Sequence, residues 1–189
     1  MFPCKGVFLF LGFCYFRGMN DLLPLQPQKW NLLISPSRTR LLVAIAYLAH
    51  NTELIVLDCG RKYDASIVIR AARGREEITD RIQIRRAFIC SEVAKLLEHT
   101  SSSKTSVIIL DFLSTFYDEN VKLGTRKFLF EKSLLHIRRL NQSAGLAIAS
   151  FTPPTSLNAV DLFERLQTAA PQVSDYSPVE SKAPQLVMF

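Results

Sequence analysis

Cysteine and histidine, the residues that build metal and disulfide sites, are scarce in this 189-residue chain. Four cysteines (Cys4, Cys14, Cys59, Cys90) include no C-x-x-C pair, and three histidines are scattered at His50, His99 and His136. No metal site can be read from such spacings. Cys59 and Cys90 lie in apolar-rich text, so free buried thiols in a reducing cytoplasm are the expectation. Long hydrophobic runs are missing as well. The stretch from Val7 to Phe16 is apolar but far too short to cross a bilayer, and no integral membrane association is expected. Lys5 precedes it as in a signal peptide, yet no small-x-small cleavage site follows. Residues 1–18 read as an apolar N-terminal extension, an over-extended start before more ordinary text at Met19, with membrane tethering as the alternative. There is no internal repeat, and residues 169–189 form a Pro/Ser-containing tail expected to be loose.

What is present describes a globular body. Apolar residues make up 48% of the chain, and the formal net charge of +6 permits a polyanionic partner without demanding one. The most informative stretch is Ser106-Val107-Ile108-Ile109-Leu110-Asp111. A continuous apolar run of this length predicts a strand covered on both faces, hence the centre of a parallel sheet. An aspartate at the carboxyl end of such a strand stands where open α/β sheets bind ligands. The bland alternative is a carboxylate that caps the next segment or pairs with an arginine, Arg38 being one candidate.

Around this strand the text alternates regularly. Trp30 to Ile34, Glu53 to Cys59, Arg81 to Arg86 and Gly145 to Ser150 read as further strands, the third less buried than the others. Helices are predicted from Arg38 to His50 with Ser37 as N-cap, after Asp64, from Ser91, from Thr125 to Asn141 and from Leu157 to Thr168. Strands alternating with helices imply an α/β fold.

The order of elements resembles the ATPase core of RecA-like recombinases within the P-loop NTPases, over about residues 30–155. The best local match is Ile84-Arg85-Arg86-Ala87-Phe88, a Leu-Leu helix, and then Val107 to Asp111 as the Walker B strand. Glu53 to Gly60 is similar to that family's second strand, with its Asp followed by Gly. The resemblance implies a three-layer α/β/α domain over residues 19–168 with a mainly parallel, roughly five-stranded sheet. It also implies ATP and Mg²⁺ as the family's cofactors, and here the sequence departs. Where a Walker A loop needs glycines and a lysine around the phosphates, the chain has Ser35-Pro36-Ser37-Arg38-Thr39-Arg40. Arg61 and Lys62 stand where a water-orienting glutamate is expected, and Ser150-Phe151-Thr152 where a γ-phosphate sensor is expected. The expectation is therefore no catalytic residue, no bound metal and no cofactor. At most, Ser37, Arg38, Thr39 and Asp111 form a weak anion or nucleotide site.

The resemblance further implies a non-catalytic accessory or structural subunit in DNA repair or recombination. Its expected partners are single-stranded DNA and a RecA-like subunit or a second copy of the chain. Candidate DNA contacts are Arg85, Arg86, Tyr117, Lys122, Arg126 and Lys127, with Tyr117 able to stack on a base. For any single basic residue the competing reading is a solvated helix face. Two alternatives come from other classes. One is an ATPase with an unorthodox phosphate loop using Arg38, Thr39 and Asp111. The other is a protein-interaction module docking through the Phe-rich amino end or Leu186 to Phe189.

Overall fold

The computed structural model describes Leu25 and residues 28–177. The apolar segment at residues 1–18 and the Leu186–Phe189 segment lie outside the described residues. Element order is β1 (Asn31–Ile34), α1 (Arg38–Ala49), β2 (Leu54–Asp58), α2 (Ala65–Ala71), α3 (Glu76–Asp80), β3 (Ile82–Arg86), α4 (Cys90–His99) and β4 (Ser106–Leu110). A 3₁₀ turn (Phe112–Phe116), α5 (Leu123–Asn141), β5 (Leu146–Ser150), α6 (Leu157–Ala169) and β6 (Gln172–Asp175) follow. The strands form one sheet in the order β3-β2-β4-β5-β1-β6, and every pairing is parallel. All carboxyl ends of the strands therefore meet at one end of the sheet.

The apolar runs occupy the inner strands. Leu54–Asp58 and Leu146–Ser150 are buried throughout, as are Val107 to Leu110. Alternate side chains feed two cores. Ile55, Leu57, Val107, Ile109 and Ile148 face α4, α5 and α6, whereas Leu54, Val56, Ile108, Ala147 and Ala149 face α1, α2 and α3. This is the three-layer α/β/α arrangement expected. β3 is an edge strand and less buried than the other expected strands, but only Ile82 is buried, and Ile84, on the same face of the strand, is exposed. Helix α1 packs against α2 and α3 as well as the sheet, which explains why it is apolar nearly all round. Ser37 holds the N-cap position in extended geometry, but its side chain makes no capping hydrogen bond. Asp64 does cap α2, accepting from the Ser66 amide at 3.0 Å.

Three features depart from the expectation. The sheet has six strands rather than five, because Gln172–Asp175, within the stretch expected to be loose, pairs residue for residue with β1. Its side chains are largely exposed, so this strand is specified by backbone pairing and carries little hydrophobic signal. The five-residue helix α3 is also too short to show a period. After β4 the chain tightens into a 3₁₀ turn that buries Phe112 and Phe116, their ring centroids 5.1 Å apart, against Phe130 of α5, whose centroid is 6.0 Å from each.

This aromatic trio joins the central strand to the longest helix. Phe130→Ala should cost about 3–5 kcal/mol in urea unfolding, the usual range for emptying an aromatic site. A loss below about 1 kcal/mol would show that α5 can collapse onto the sheet without it.

Candidate functional site at the carboxyl ends of the strands

Two buried carboxylates, Asp58 at the end of β2 and Asp111 just past β4, dominate this end of the sheet, each 1% exposed. Register places Asp58 beside Leu110, and the Cys59 amide donates to the Leu110 carbonyl at 2.9 Å. The two acids thus start on adjacent strands and are used differently.

Asp58 organises the loop that follows it. Its carboxylate accepts from the Lys62 amide at 2.8 Å and the Tyr63 amide at 3.2 Å, and the Arg86 guanidinium lies 3.5 Å away. These contacts curl residues 59–63 back over the sheet end. Arg61 takes a left-handed backbone (φ 55°) to make the turn.

Asp111 also adopts a left-handed backbone, φ 55° and ψ 47°, a region that aspartate tolerates better than most non-glycine residues. That conformation turns its carboxylate toward the end of β5. Oδ1 accepts from the Phe151 amide at 3.0 Å and the Thr152 amide at 2.9 Å, and the Thr152 hydroxyl donates to Oδ2 at 2.6 Å. The Lys62 ammonium sits 3.4 Å from Oδ2. Three hydrogen bonds and one cation thus come from the chain itself. On another side the carboxylate abuts Gly60, where an added Cβ would meet Asp111 Oδ2 and lie 2.5 Å from its Cβ. Only a residue without a side chain lets the loop close over this aspartate.

The surrounding groups are tied to the same loop. The Ser114 hydroxyl donates to the carbonyls of Asp111 at 2.8 Å and Cys59 at 3.2 Å. Burial, reinforced by the charges of Asp58 and Asp111, pushes the Cys59 thiol well above its ordinary range, so it is a neutral packing group. Arg38 donates from Nε to the Lys62 carbonyl at 2.7 Å and lies 3.6 Å from Asp64.

The expected site residues separate accordingly. Ser37, Arg38, Thr39 and Asp111 do not converge on one ligand position. Thr39 lines the groove between α1 and α2, Ser37 is exposed, and Arg38 braces the β2–α2 loop. The Asp111 side chain makes no capping hydrogen bond to the 3₁₀ turn and pairs with a lysine, Lys62, where the bland reading expected a cap or an arginine such as Arg38. Lys62 lies 49 positions before Asp111 in the sequence, and no local pattern marks it as the partner.

The expected DNA contacts divide as well. Arg85 and Arg86 are exposed at the end of the edge strand, and Lys122 is exposed before α5. Arg126 is not a surface group. It is 3% exposed and donates to the Phe116 carbonyl at 3.1 Å, because it sits one turn before Phe130 on the buried face of α5. Tyr117 packs against the core with its hydroxyl buried, and that burial together with the Asp111 charge pushes its pKa up. The residue as a whole is partly buried in this position. Lys127 forms an ion pair with Asp161 at 2.9 Å. Overlooked in the sequence is Phe88, which is 53% exposed and carries the Arg61 guanidinium 5.1 Å from its ring centroid. Its position after a strand rich in basic residues was the available signal.

No protein-family model and no curated protein matches the chain. Among solved structures it is similar to the RadB recombinase, with a TM-score of 0.50 and 13% sequence identity. The match covers 70% of this chain and 65% of that one, so the chain spans just under two thirds of that recombinase's length. The fold is RecA-like, with a parallel sheet between two helical layers.

Two experiments test the loop closure around Asp111. Gly60→Ala should destabilise by about 1–3 kcal/mol through overpacking, and a change within about 0.5 kcal/mol would mean that the loop is not held against the carboxylate. In a double-mutant cycle, Lys62→Ala and Asp111→Asn should couple by about 0.5–3 kcal/mol in chemical denaturation, whereas additive losses would show no working ion pair.

Proposed function

We propose that this chain is a non-catalytic RecA-like protein, acting as an accessory or structural subunit in DNA repair or recombination. The observation that carries the reading is the state of Asp111. In P-loop NTPases the carboxylate at this strand end holds Mg²⁺ beside the phosphates. Here its oxygens accept from Phe151 and Thr152, and the Lys62 ammonium lies 3.4 Å from Oδ2, where a metal would have to compete with it. The connection from β1 to α1 supports the same reading. It consists of Ser35, Pro36 and Ser37, too few residues to wrap a triphosphate, and Pro36 has no amide hydrogen to offer. The residues present therefore do not fit Mg²⁺–ATP, and no chemical step is derived through it.

Affinity for single-stranded DNA is supported by the exposed Arg61–Phe88 pair with Arg85 and Arg86 nearby in sequence. An exposed aromatic ring backed by guanidinium groups is a platform for a base and its phosphate. Partnering with a RecA-like subunit or a second copy is supported by the β3 edge, where Ile84 is 41% exposed and Ile89, just beyond the strand, 47%. Among the described residues no helix is long and apolar enough to cross a membrane. The cytoplasm is our proposed location.

Thermal melts and fluorescence anisotropy on the full chain test this reading. A Mg²⁺–ATP analogue at saturating concentration should leave the melting temperature unchanged, whereas a ligand at a hundredfold excess over its dissociation constant would add about 2.7 kcal/mol. Labelled single-stranded DNA should bind with an affinity that falls steeply with salt. Phe88→Ala should weaken that binding by about 1–3 kcal/mol, the usual value of one stacked base. Nucleotide stabilisation abolished by Arg38→Ala would instead establish an unorthodox nucleotide site. Silence toward both ligands would leave a protein-interaction module.

A further inference from the structure

A groove of about 820 Å³ runs along the opposite helical layer from α4–α6, between α1 on one side and α2–α3 on the other. Its existence follows from side-chain size. Where the helices face each other the chain places Ala46 on α1 with Ala71 and Ala72 at the end of α2, too small to fill the space between them. Val43 and Ile67 form the rest of an apolar floor, with Ile78 of α3 closing it. The floor is continuous with the core on that side of the sheet.

The rim has a single sign. Arg70, Arg73 and Arg75 line the groove, and no aspartate or glutamate is among the lining residues. Among the described residues none of the three pairs with a carboxylate. Arg70 donates to the carbonyl of its own Ser66, and Arg75 lies 3.0 Å from the His50 ring. Arg73 and Gly74 both take left-handed backbones (φ 55° and 71°), which makes a tight turn at the end of α2, with exposed Arg73 and Arg75 on either side of Gly74. Glu76 and Glu77 lie in the first turn of α3 but outside the groove.

We propose that this groove is a docking site for an acidic amphipathic helix of a partner protein. An apolar floor between two helices accepts the apolar face of a third, read as anchors at helical spacing. Helix α1 spans about 18 Å at 1.5 Å per residue, room for roughly three turns of a ligand helix. Charge complementarity selects the partner's sign, since carboxylates flanking the anchors would meet the arginine rim while basic ones would be repelled. The apolar floor favours a protein helix over a nucleic-acid strand, whose backbone would gain nothing from Val43, Ile67 or Ile78. The site is independent of the Asp111 region and of the β3 edge, so it stands whether or not the chain binds DNA.

The test uses the full chain and three fluorescent probes. They are an amphipathic peptide with leucines at helical spacing and glutamates elsewhere, its leucine/lysine counterpart, and a single-stranded oligonucleotide. The Leu/Glu peptide should bind, and the Leu/Lys peptide should bind at least about tenfold more weakly. Arg73→Glu, an exposed position that should leave the fold intact by circular dichroism, takes the rim from three positive charges to a net of one and should narrow that difference at least severalfold. Ala71→Leu, which fills the groove, should weaken the Leu/Glu peptide by a similar factor. The proposal fails if the Leu/Glu peptide does not bind, or if both peptides bind alike. It fails equally if the Arg73→Glu variant binds the peptides as the native chain does, or if the oligonucleotide displaces the Leu/Glu peptide.

Discussion

A carboxylate that is 1% exposed must have its charge met by donors or cations, because an uncompensated buried charge costs several kcal/mol. Asp111 imposes this demand at the end of the central strand, and much of the surrounding structure follows from it. The β5 end supplies two amides and a hydroxyl, which fixes Phe151 and Thr152 against β4. The β2–α2 loop supplies the Lys62 ammonium, which requires that loop to fold inward over the sheet. Folding inward brings Gly60 against the carboxylate and excludes any side chain there. Asp58 holds the same loop from beneath, and Arg38 holds it from α1. One buried charge thus ties together three strand ends and the start of a helix.

This arrangement has a consequence for how the fold is used. In an open α/β sheet the carboxyl ends of the strands are where a ligand normally finds unsatisfied donors and acceptors. Here those groups satisfy one another, and the polar cluster serves stability. The surfaces left for recognition lie elsewhere. They are the β3 edge with its basic and apolar side chains, and the α1–α2–α3 groove with its arginine rim. The first suits an extended strand or a nucleic-acid backbone, the second a helix.

How far the sequence could be read depended on the type of signal each element carries. β2, β4 and β5 were legible because buried strands write long apolar runs. β3 was legible as a strand less buried than those because Ile82, Ile84 and their polar neighbours alternate, and its place at the edge came only with the sheet order. β6 was not, since Gln172 to Asp175 pairs through its backbone and exposes most of its side chains. Arg126 was misread for a related reason. A basic residue on a helix is ordinarily solvated, and only its place one turn before Phe130 buries it. The packing of Tyr117 against the core was not legible, because nothing local distinguishes an aromatic residue in a loop from one folded back on the core.

By itself the sequence determined the α/β class, the parallel sheet and the burial of the strand that ends at Asp111. It also determined the lack of glycine and lysine in the β1–α1 connection. These follow from apolar periodicity and from residue identity at one place in the chain. Tertiary structure alone decided that Lys62 faces Asp111, that Arg38 turns away to the β2–α2 loop, and that Arg61 meets Phe88. It alone opened a groove opposite Ala46. The physical reason is common to all four. Each depends on how loops and helices far apart in sequence are brought together, and a side chain's partner across such a distance leaves no periodic trace along the chain.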